Sequence, residues 1–216
     1  MSWRWSAALL ILAVAAAKGD DALAPGKLLV ASRDITDPHF SESVILLIDY
    51  APDKGATGLI VNRRSKVPIS RLLGDLNEAK NRSDGVYLGG PNDLSNVVAL
   101  MKAASKPGDD DPVFGDTYLV NRKNTLQKVL AAGTGADCLH IFVGYVVWPA
   151  GRLEYELDLG AWRVMPGDTE MVFHADPDSV WGKMIRKTEE QFALDRRYPV
   201  RNISVGSTLL ARRAGT

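Results

Sequence analysis

The chain has 216 residues, 46% of them hydrophobic and 24% charged, which is typical of a globular protein that buries a core without disulfides or metals. Lysine plus arginine and aspartate plus glutamate both number 26, so the net charge is zero. This balance argues against nucleic acid as a partner, because phosphate contacts need a basic excess. The single cysteine, Cys138, excludes an internal disulfide.

The N-terminus has the three-part pattern of a secretory signal peptide. Arg4 and the α-amino group precede an uncharged stretch at residues 6–17, and Ala15 and Ala17 are the small residues before a cut at Lys18. The stretch is shorter than the about 20 apolar residues of a membrane span. We expect export to the periplasm or the exterior through a cleaved signal, with no membrane span afterwards. An uncleaved anchor and a wrongly assigned start codon, with cytoplasmic residence, are the alternatives.

The sequence divides into four segments. They are a signal peptide at residues 1–17, a polar lead-in at 18–25, a domain at 26–195 and a basic tail at 196–216. No internal repeat, long linker or change of composition interrupts the third segment, which predicts one domain. The tail contains an N-glycosylation sequon at Asn202, which is meaningful only in a eukaryotic host.

Short apolar runs between turn residues predict the strands. The strongest is 43–49, whose consecutive apolar residues are typical of a strand buried on both faces. A turn at 51–55, which contains proline, aspartate and glycine, joins it to a hairpin partner at 57–62. Further strands are predicted at residues 27–31, 86–88, 97–101, 117–120 and 138–143.

Helical periodicity predicts helices at residues 68–76, 124–132 and 177–194. Asn124 is the expected N-cap of the second helix, and Gly133 is its expected terminating glycine. Together with the strands, these helices predict a mixed α/β protein. The residues of the third helix that we expect to face the core are Trp181, Ile185 and Phe192.

Residues 144–156 are the most unusual segment. Gly144 is expected to end the preceding strand in a turn, after which a short helix opens with two acids. In one interpretation Glu154 and Glu156 line a ligand cleft with Tyr145 and Trp148. In the other, the two aromatic residues fill the end of a sheet while the acids cap and solvate the helix start. Residues two apart do not share a helix face, which argues against paired acid–base chemistry and favours the second interpretation.

Two pairs have the residue types of a catalytic or metal site. Asp37 and His39 lie two apart in a loop, but no further ligand follows at metal-site spacing. Cys138 and His140 alternate on a predicted strand and so share a face, as a nucleophile and its base would. Packing roles are the commoner alternative for both pairs. We find no G-x-S-x-G elbow, P-loop or G-x-G-x-x-G motif, and we expect no cofactor and no metal.

Arginines cluster in sequence after the predicted hairpin. Arg63 and Arg64, with Arg33 and Arg71, have the residue type of an anion-binding edge. A solvated loop at a strand end explains them equally well.

Several blocks, in this order, resemble the YqgE/AlgH family, and the resemblance extends from about Gly26 to Leu194. It implies a mixed α/β fold in which a bifurcated, largely antiparallel sheet closes into a pseudo-barrel with flanking helices. It implies no established reaction. Arg64, Val147, the N-terminal extension and the tail depart from the family pattern. The matching blocks are residues 26–31, Asp37-Pro38-x-Phe40 with Ser43-Val44, residues 55–63, Leu88-Gly89-Gly90-Pro91, Gly144-Tyr145-x-x-Trp148-x-x-Gly151-x-Leu153-Glu154-x-Glu156, and Trp162.

The leading functional hypothesis is an exported, non-enzymatic binding or accessory protein that takes an unknown small ligand or protein into a cleft. One alternative is an unrecognised hydrolase that uses His39 or the pair of Cys138 and His140. Another is a transcriptional regulator, the label attached to some members of the family. The cleft is expected where polar loops and glycine turns meet strand ends, and its predicted ligand-binding residues are Asp37, His39, Phe40, Asn62, Arg63, Gly90, Tyr145 and Trp148.

Overall fold

The computed structural model describes residues 22–108 and 112–197. The predicted signal peptide, the first half of the lead-in and the tail beyond Arg197 with its sequon lie outside these residues. Within the described part of the chain, no helix is both long enough and apolar enough to cross a membrane.

The described residues form ten strands and four α-helices. A 3₁₀ turn at Asn77–Ala79 and a π-helical turn at Glu170–His174 complete the regular structure. The helices are α1 (Ile69–Leu72), α2 (Lys123–Ala131), α3 (Arg152–Asp158) and α4 (Pro177–Arg197). The strands are β1 (Leu28–Ala31), β2 (Val44–Ala51), β3 (Gly55–Ile60), β4 (Arg64–Pro68), β5 (Gly85–Leu88), β6 (Asn92–Lys102), β7 (Pro112–Phe114), β8 (Thr117–Val120), β9 (Leu139–Trp148) and β10 (Trp162–Met165).

One sheet, in the order β10-β1-β2-β3-β9-β6-β8-β7, contains these strands, and it branches at β9. The first half of β9 pairs with β6 on one side and, in parallel, with β5 on the other, where Phe142 lies opposite Tyr87. The second half pairs with β3, where Trp148 lies opposite Ala56. β4 joins the branch through β5, and every pair except β5–β9 is antiparallel. The fold is therefore mixed α/β, with a bifurcated and largely antiparallel sheet, as predicted.

Strand β7, at one end of the sheet, packs against the glycines just before β1 and just after β10, beyond the paired residues of both strands. A Cβ atom on Gly26 would lie 2.8 Å from Cβ of Phe114, and one on Gly167 would lie 2.7 Å from the Phe114 ring. Because glycine has no side chain, β7 approaches the segments that flank β1 and β10 closely. The sheet is accordingly curled into a half-barrel.

The core has an inner part and two outer parts, because successive strand residues point to opposite sides of the sheet. Leu28, Val44 and Phe142 face inward, where α4 covers them with Val180 and Met184. On one outer face, α1 and α2 pack on β6 and β9. On the other outer face, the buried residues include Leu29, Ile45, Ala56, Val146, Trp148, Leu153 and Trp162.

The alternation of β9 slips by one residue at Gly144. Phe142 and Tyr145 both pack in the inner core although they are three residues apart. Gly144 has φ +68°, and a Cβ atom there would collide with the Gly90 carbonyl oxygen and lie 2.9 Å from that of Asn92. Only glycine fits this bulge, where the backbones of the two branches meet. The prediction that Gly144 ends the strand is wrong, because β9 continues to Trp148.

The ends of two helices differ from the prediction. α1 ends at Leu72 rather than at residue 76. α2 follows Arg122 without a side-chain cap, so Asn124 lies inside the helix and is not its N-cap. Gly133, with φ +73°, follows the end of α2 as predicted.

All seven predicted strands are present, and the Val44–Leu47 part of β2 is fully buried as its apolar run indicates. β4, β7 and β10 have no counterpart in the prediction, because they are short and lack a sustained alternating or apolar pattern. In α4, Ile185 is buried and Trp181 is half-buried against the core, as expected. The side chain of Phe192 lies outside the described residues.

Candidate functional site

A pocket of about 490 Å³ opens on the outer face of the sheet. It lies between the loop that joins β1 to β2, the end of β9, the start of α3 and the start of β10. Three aromatic residues, three charged residues and five small or aliphatic ones line it. They are Phe40, Trp148 and Trp162; Asp37, Arg152 and Glu156; and Ile35, Val146, Val147, Pro149 and Ala161.

The aromatic walls pack edge to face. The ring centroids of Phe40 and Trp162 are 6.2 Å apart at 83°, and those of Trp148 and Trp162 are 6.1 Å apart at 87°. Perpendicular packing at this distance is the arrangement that aromatic quadrupoles favour. With Trp148 only 4% and Trp162 only 3% exposed, the two indoles are fixed parts of the wall.

Both indoles are held by a single carboxylate, that of Glu156. Trp148 and Trp162 each donate their Nε1–H to Glu156 Oε2 at 2.9 Å, and Arg152 donates Nε–H to Oε1 at 2.8 Å. The arginine precedes the glutamate by one helical turn, the spacing at which two helix residues are neighbours. Hydrogen bonds to a charged acceptor are stronger than neutral ones, so the carboxylate fixes two walls and one rim of the pocket together.

Glu154 has a separate partner. It accepts a hydrogen bond of 2.8 Å from the Tyr50 hydroxyl, and burial together with this bond raises the pKa of Tyr50. Glu154 and Glu156 therefore tie α3 to the sheet through different aromatic partners. The sequence-based interpretation that both acids are simply solvated at a helix start is wrong, because each accepts hydrogen bonds from part-buried groups.

The loop that carries Asp37 and Phe40 is tied to the sheet by polar contacts. Asn62 Oδ1 accepts the N–H of Val44 at 2.8 Å, and its Nδ2 donates to the Glu42 carbonyl at 2.9 Å. Arg63 donates from Nη2 to the Ser41 carbonyl at 3.0 Å. These contacts hold the loop where Phe40 reaches the pocket.

Charge on this loop is balanced locally. Burial lowers the pKa of the Arg63 guanidinium, while the nearby Asp37 carboxylate acts in the opposite direction. The same carboxylate accepts the backbone N–H of His39 at 2.8 Å, and the exposed His39 ring lies edge-on to Phe40 with centroids 6.4 Å apart. His39 therefore sits beside the pocket on an Asx-type turn.

The structure brings together part of the predicted ligand-binding set. Asp37, Phe40 and Trp148 line the pocket, while His39, Asn62 and Arg63 support or flank its loop. Gly90 packs on the backbone of Tyr145, whose side chain lies in the inner core, so these two residues belong to the branch of the sheet. That these eight residues bind a ligand stays a prediction.

The sequence-based set omitted Trp162, Arg152 and Ile35. Trp162 stood out only as the last block of the family resemblance, because β10 is too short to show a strand pattern. Arg152 precedes Glu156 by four residues on a helix, which was the one local signal for the pair.

A family model described as AlgH-like (DUF179) matches residues 28–193. The chain belongs to the AlgH-like family. A UPF0301 protein of Thermobifida fusca is 32% identical over 182 residues, which is 81% of this chain and 91% of that relative. A UPF0301 protein of Chlamydia pneumoniae is 29% identical over 171 residues, covering 79% of this chain and 90% of the relative.

Two solved structures share the AlgH-like fold. The crystal structure of protein DIP2367 from Corynebacterium diphtheriae superposes with a TM-score of 0.64 at 24% identity, covering 77% of this chain and 87% of that one. The solution structure of the AlgH protein from Pseudomonas aeruginosa gives 0.58 at 26% identity, covering 89% and 95%. The family is one of uncharacterised function, so the chemistry of the site must be argued from this chain.

Cys138 and His140 do not have the surroundings of a catalytic pair in this AlgH-like chain. The His140 ring is 7% exposed, stacks on Tyr87 with centroids 4.4 Å apart and also contacts Phe173 at 5.0 Å. Burial lowers the pKa of His140 to about 4, and burial and Asp137 raise the pKa of the Cys138 thiol. A thiol with a raised pKa is a poor nucleophile at neutral pH, and an enclosed imidazole has little access to a substrate.

Arg33, another candidate from the sequence, also has a structural role. Arg33 forms an ion pair of 2.8 Å with Glu189 of α4 and lies over the Trp181 ring, away from the Arg63 loop contact. Within residues 22–108 and 112–197, no group of three or more His, Cys, Asp or Glu side chains is placed to hold a metal ion.

Proposed function

We propose that this AlgH-like protein is an exported, non-enzymatic binding protein whose ligand or protein partner inserts an apolar group into the pocket of Phe40, Trp148 and Trp162. The observation that supports the proposal is the concave aromatic surface itself. A pocket with mainly apolar walls and a few placed polar groups is the usual form of a binding site.

The hydrogen bonds of Glu156 favour an apolar ligand group. Because both indole N–H groups already donate to this carboxylate, a ligand needs no acceptor opposite them. Val147 adds to the apolar surface, with 45% of its side chain exposed at the pocket. The charged rim consists of Arg152 paired with Glu156, and of Asp37 near Arg63, so a neutral group meets no uncompensated charge inside.

The lining also favours binding over nucleophilic catalysis. The described residues of the pocket wall include no serine, cysteine, lysine or histidine. His39 flanks the wall on an exposed turn, where its backbone N–H donates to Asp37 Oδ1. A serine nucleophile needs a base in contact with it, and the described wall offers neither serine nor histidine.

NMR of the tryptophan side chains tests the binding pocket. The protein labelled at indole nitrogen is titrated with p-cresol and, separately, with isobutanol as apolar probes. We expect saturable shifts of the Trp148 and Trp162 Nε1–H signals. Trp181, which donates Nε1–H to the Ala31 carbonyl at 2.8 Å and does not line the pocket, is the internal control and should not move.

A matched pair of variants makes this test specific. Val147→Phe fills the pocket and should weaken probe binding at least tenfold, whereas Val67→Phe enlarges a similarly exposed valine outside the lining and should leave it unchanged. If neither probe moves the Trp148 and Trp162 signals in the unmodified protein, the pocket does not bind and the proposal fails.

Export is tested separately by cell fractionation with N-terminal sequencing of the purified native protein. We expect a mature chain that begins at Lys18, outside the cytoplasm. An intact Met1 in the cytosolic fraction would remove export from the proposal without affecting the pocket.

A further inference from the structure

The pocket borders β10, which is an edge strand among the described residues. β10 stands at one end of the sheet and pairs, among the described strands, with β1 alone. The N–H of Ser32 donates to the Ala161 carbonyl at 2.8 Å, so residues 161, 163 and 165 face β1. The backbone N–H and C=O groups of Trp162 and Val164 therefore point away from β1, and the Trp162 carbonyl also accepts a long hydrogen bond of 3.5 Å from Arg163 Nη1. Such an edge is a template for another strand.

Two cavities are each lined by a residue of β10, one near each end of the strand. The aromatic pocket lies at Trp162, on the outer side of the sheet. A second cavity, of about 160 Å³, lies at the other end and is lined by Met165, Met171 and Met184, with Lys183 and Lys187 at its rim. Met165 and Met184 belong to the inner core, so this cavity is on the inner side.

The spacing of the cavities matches that of an extended peptide. Trp162 and Met165 are three residues apart, about 10 Å at the usual rise of a strand. In a paired strand, side chains three residues apart also point to opposite sides. An added strand with apolar residues at positions i and i+3 would therefore place one in each cavity.

The charges along this edge are mainly positive. Arg33 pairs with Glu189 of α4 at 2.8 Å, and the positive charges of Arg163 in β10 and of Arg186 act on the same carboxylate. The lining of the inner cavity contains two lysines, Lys183 and Lys187, and one carboxylate, that of Asp168. A partner with acidic side chains would be attracted here.

We propose that the partner is an extended acidic protein segment that adds to the outer edge of β10 as a further strand and inserts apolar side chains into the two flanking cavities. Main-chain hydrogen bonds to Trp162 and Val164 supply affinity, and the cavities supply specificity. This inference rests on the proposed function, because it gives the aromatic pocket its occupant.

The test uses capped synthetic hexapeptides and the purified full chain. The probe ELTEVE carries leucine and valine three residues apart. The control peptides are KLTKVK, EATEAE and a form of ELTEVE with alternate backbone amides methylated. By isothermal titration we expect ELTEVE to bind at least tenfold more tightly than each control, and its affinity to fall as salt is raised.

Variants of the protein locate the contact. Val164→Pro removes one outward N–H but none of the bonds to β1, and proline is tolerated on edge strands, so the variant should fold and lose at least tenfold in affinity. Arg163→Gln should lose about threefold to tenfold, and Arg71→Gln, an exposed arginine of α1, should lose nothing. If Val164→Pro does not fold, the methylated peptide still tests strand pairing.

The outcomes separate this inference from the proposed function. If ELTEVE and its methylated form bind equally, the partner does not add as a strand. If ELTEVE and KLTKVK bind equally, the preference for an acidic partner is wrong. Either result overturns the proposal. If p-cresol shifts the Trp148 and Trp162 signals but ELTEVE does not bind, the pocket stands and the strand addition is wrong. If neither binds, both proposals fail.

Discussion

At the scale of single residues, the pocket depends on the Glu156 carboxylate and its three donors. Glu156→Ala leaves the buried indole N–H groups of Trp148 and Trp162 without an acceptor, and each unsatisfied group costs about 1–3 kcal/mol. We expect the free energy of unfolding, measured in urea, to fall by about 3 kcal/mol.

Glu154→Ala is the matched control, because Glu154 lies on the same helix and accepts one bond, from the part-buried Tyr50 hydroxyl. Its loss should be about 1 kcal/mol. Equal losses in the two variants would contradict the central role given to Glu156.

His140 makes the stability of the molecule depend on pH. Burial lowers its pKa from 6.5 to about 4. Between these values the unfolded chain binds a proton that the folded chain does not, so stability from this group is full above pH 6.5 and is lost as pH falls towards 4. In His140→Gln this dependence disappears.

The measurement is the unfolding free energy of both proteins at pH 7.5 and pH 4.5. We expect the difference between wild type and His140→Gln to change by about 2 kcal/mol in favour of the variant at the lower pH. A difference that stays constant with pH would show that His140 is not buried in its neutral form.

At the scale of secondary-structure elements, the branch of the sheet depends on Gly144. Gly144→Ala must accept both a positive φ and a collision with the Gly90 carbonyl, and we expect a loss of about 3 kcal/mol or more. Gly133→Ala, also at positive φ but with nothing within 4 Å of the added Cβ, should lose only about 1 kcal/mol. Urea denaturation compares them, and similar losses would mean that the branch tolerates a side chain.

Elements with a strong local pattern could be predicted from the sequence. The apolar run of β2, the turn that follows it and the hydrophobic periodicity of α4 each depend on neighbouring residues only. β10 could not be predicted, because its four residues become a strand only by pairing with β1, more than 130 positions earlier in the chain.

The candidate site was predictable only in part for a similar reason. Asp37, Phe40 and Trp148 were identified from unusual local composition, and the structure places them in one pocket. Tyr145 was grouped with Trp148 because they are close in sequence. The slip of the alternation at Gly144, which sends Tyr145 to the inner core, depends on contact with Gly90 and Asn92 of a distant segment.

At the scale of the whole molecule, α4 fills the inside of a half-barrel, and β10 is an edge strand of the described sheet beside the aromatic pocket. The branched sheet was predicted through the family resemblance, since β9 has three neighbouring strands and no local pattern specifies such a branch. The proposed binding surfaces are accordingly the outer face of the sheet and the edge of β10, whereas the inner core contributes stability.

Amide hydrogen exchange at Val164 tests this assignment most directly. In the protein alone, Val164 should exchange much faster than Arg163, whose N–H faces β1. Adding ELTEVE should slow Val164 at least tenfold, whereas KLTKVK should not. Equal protection of the two amides in the protein alone, or a Val164 rate unchanged by ELTEVE at saturation, would contradict an open binding edge at β10.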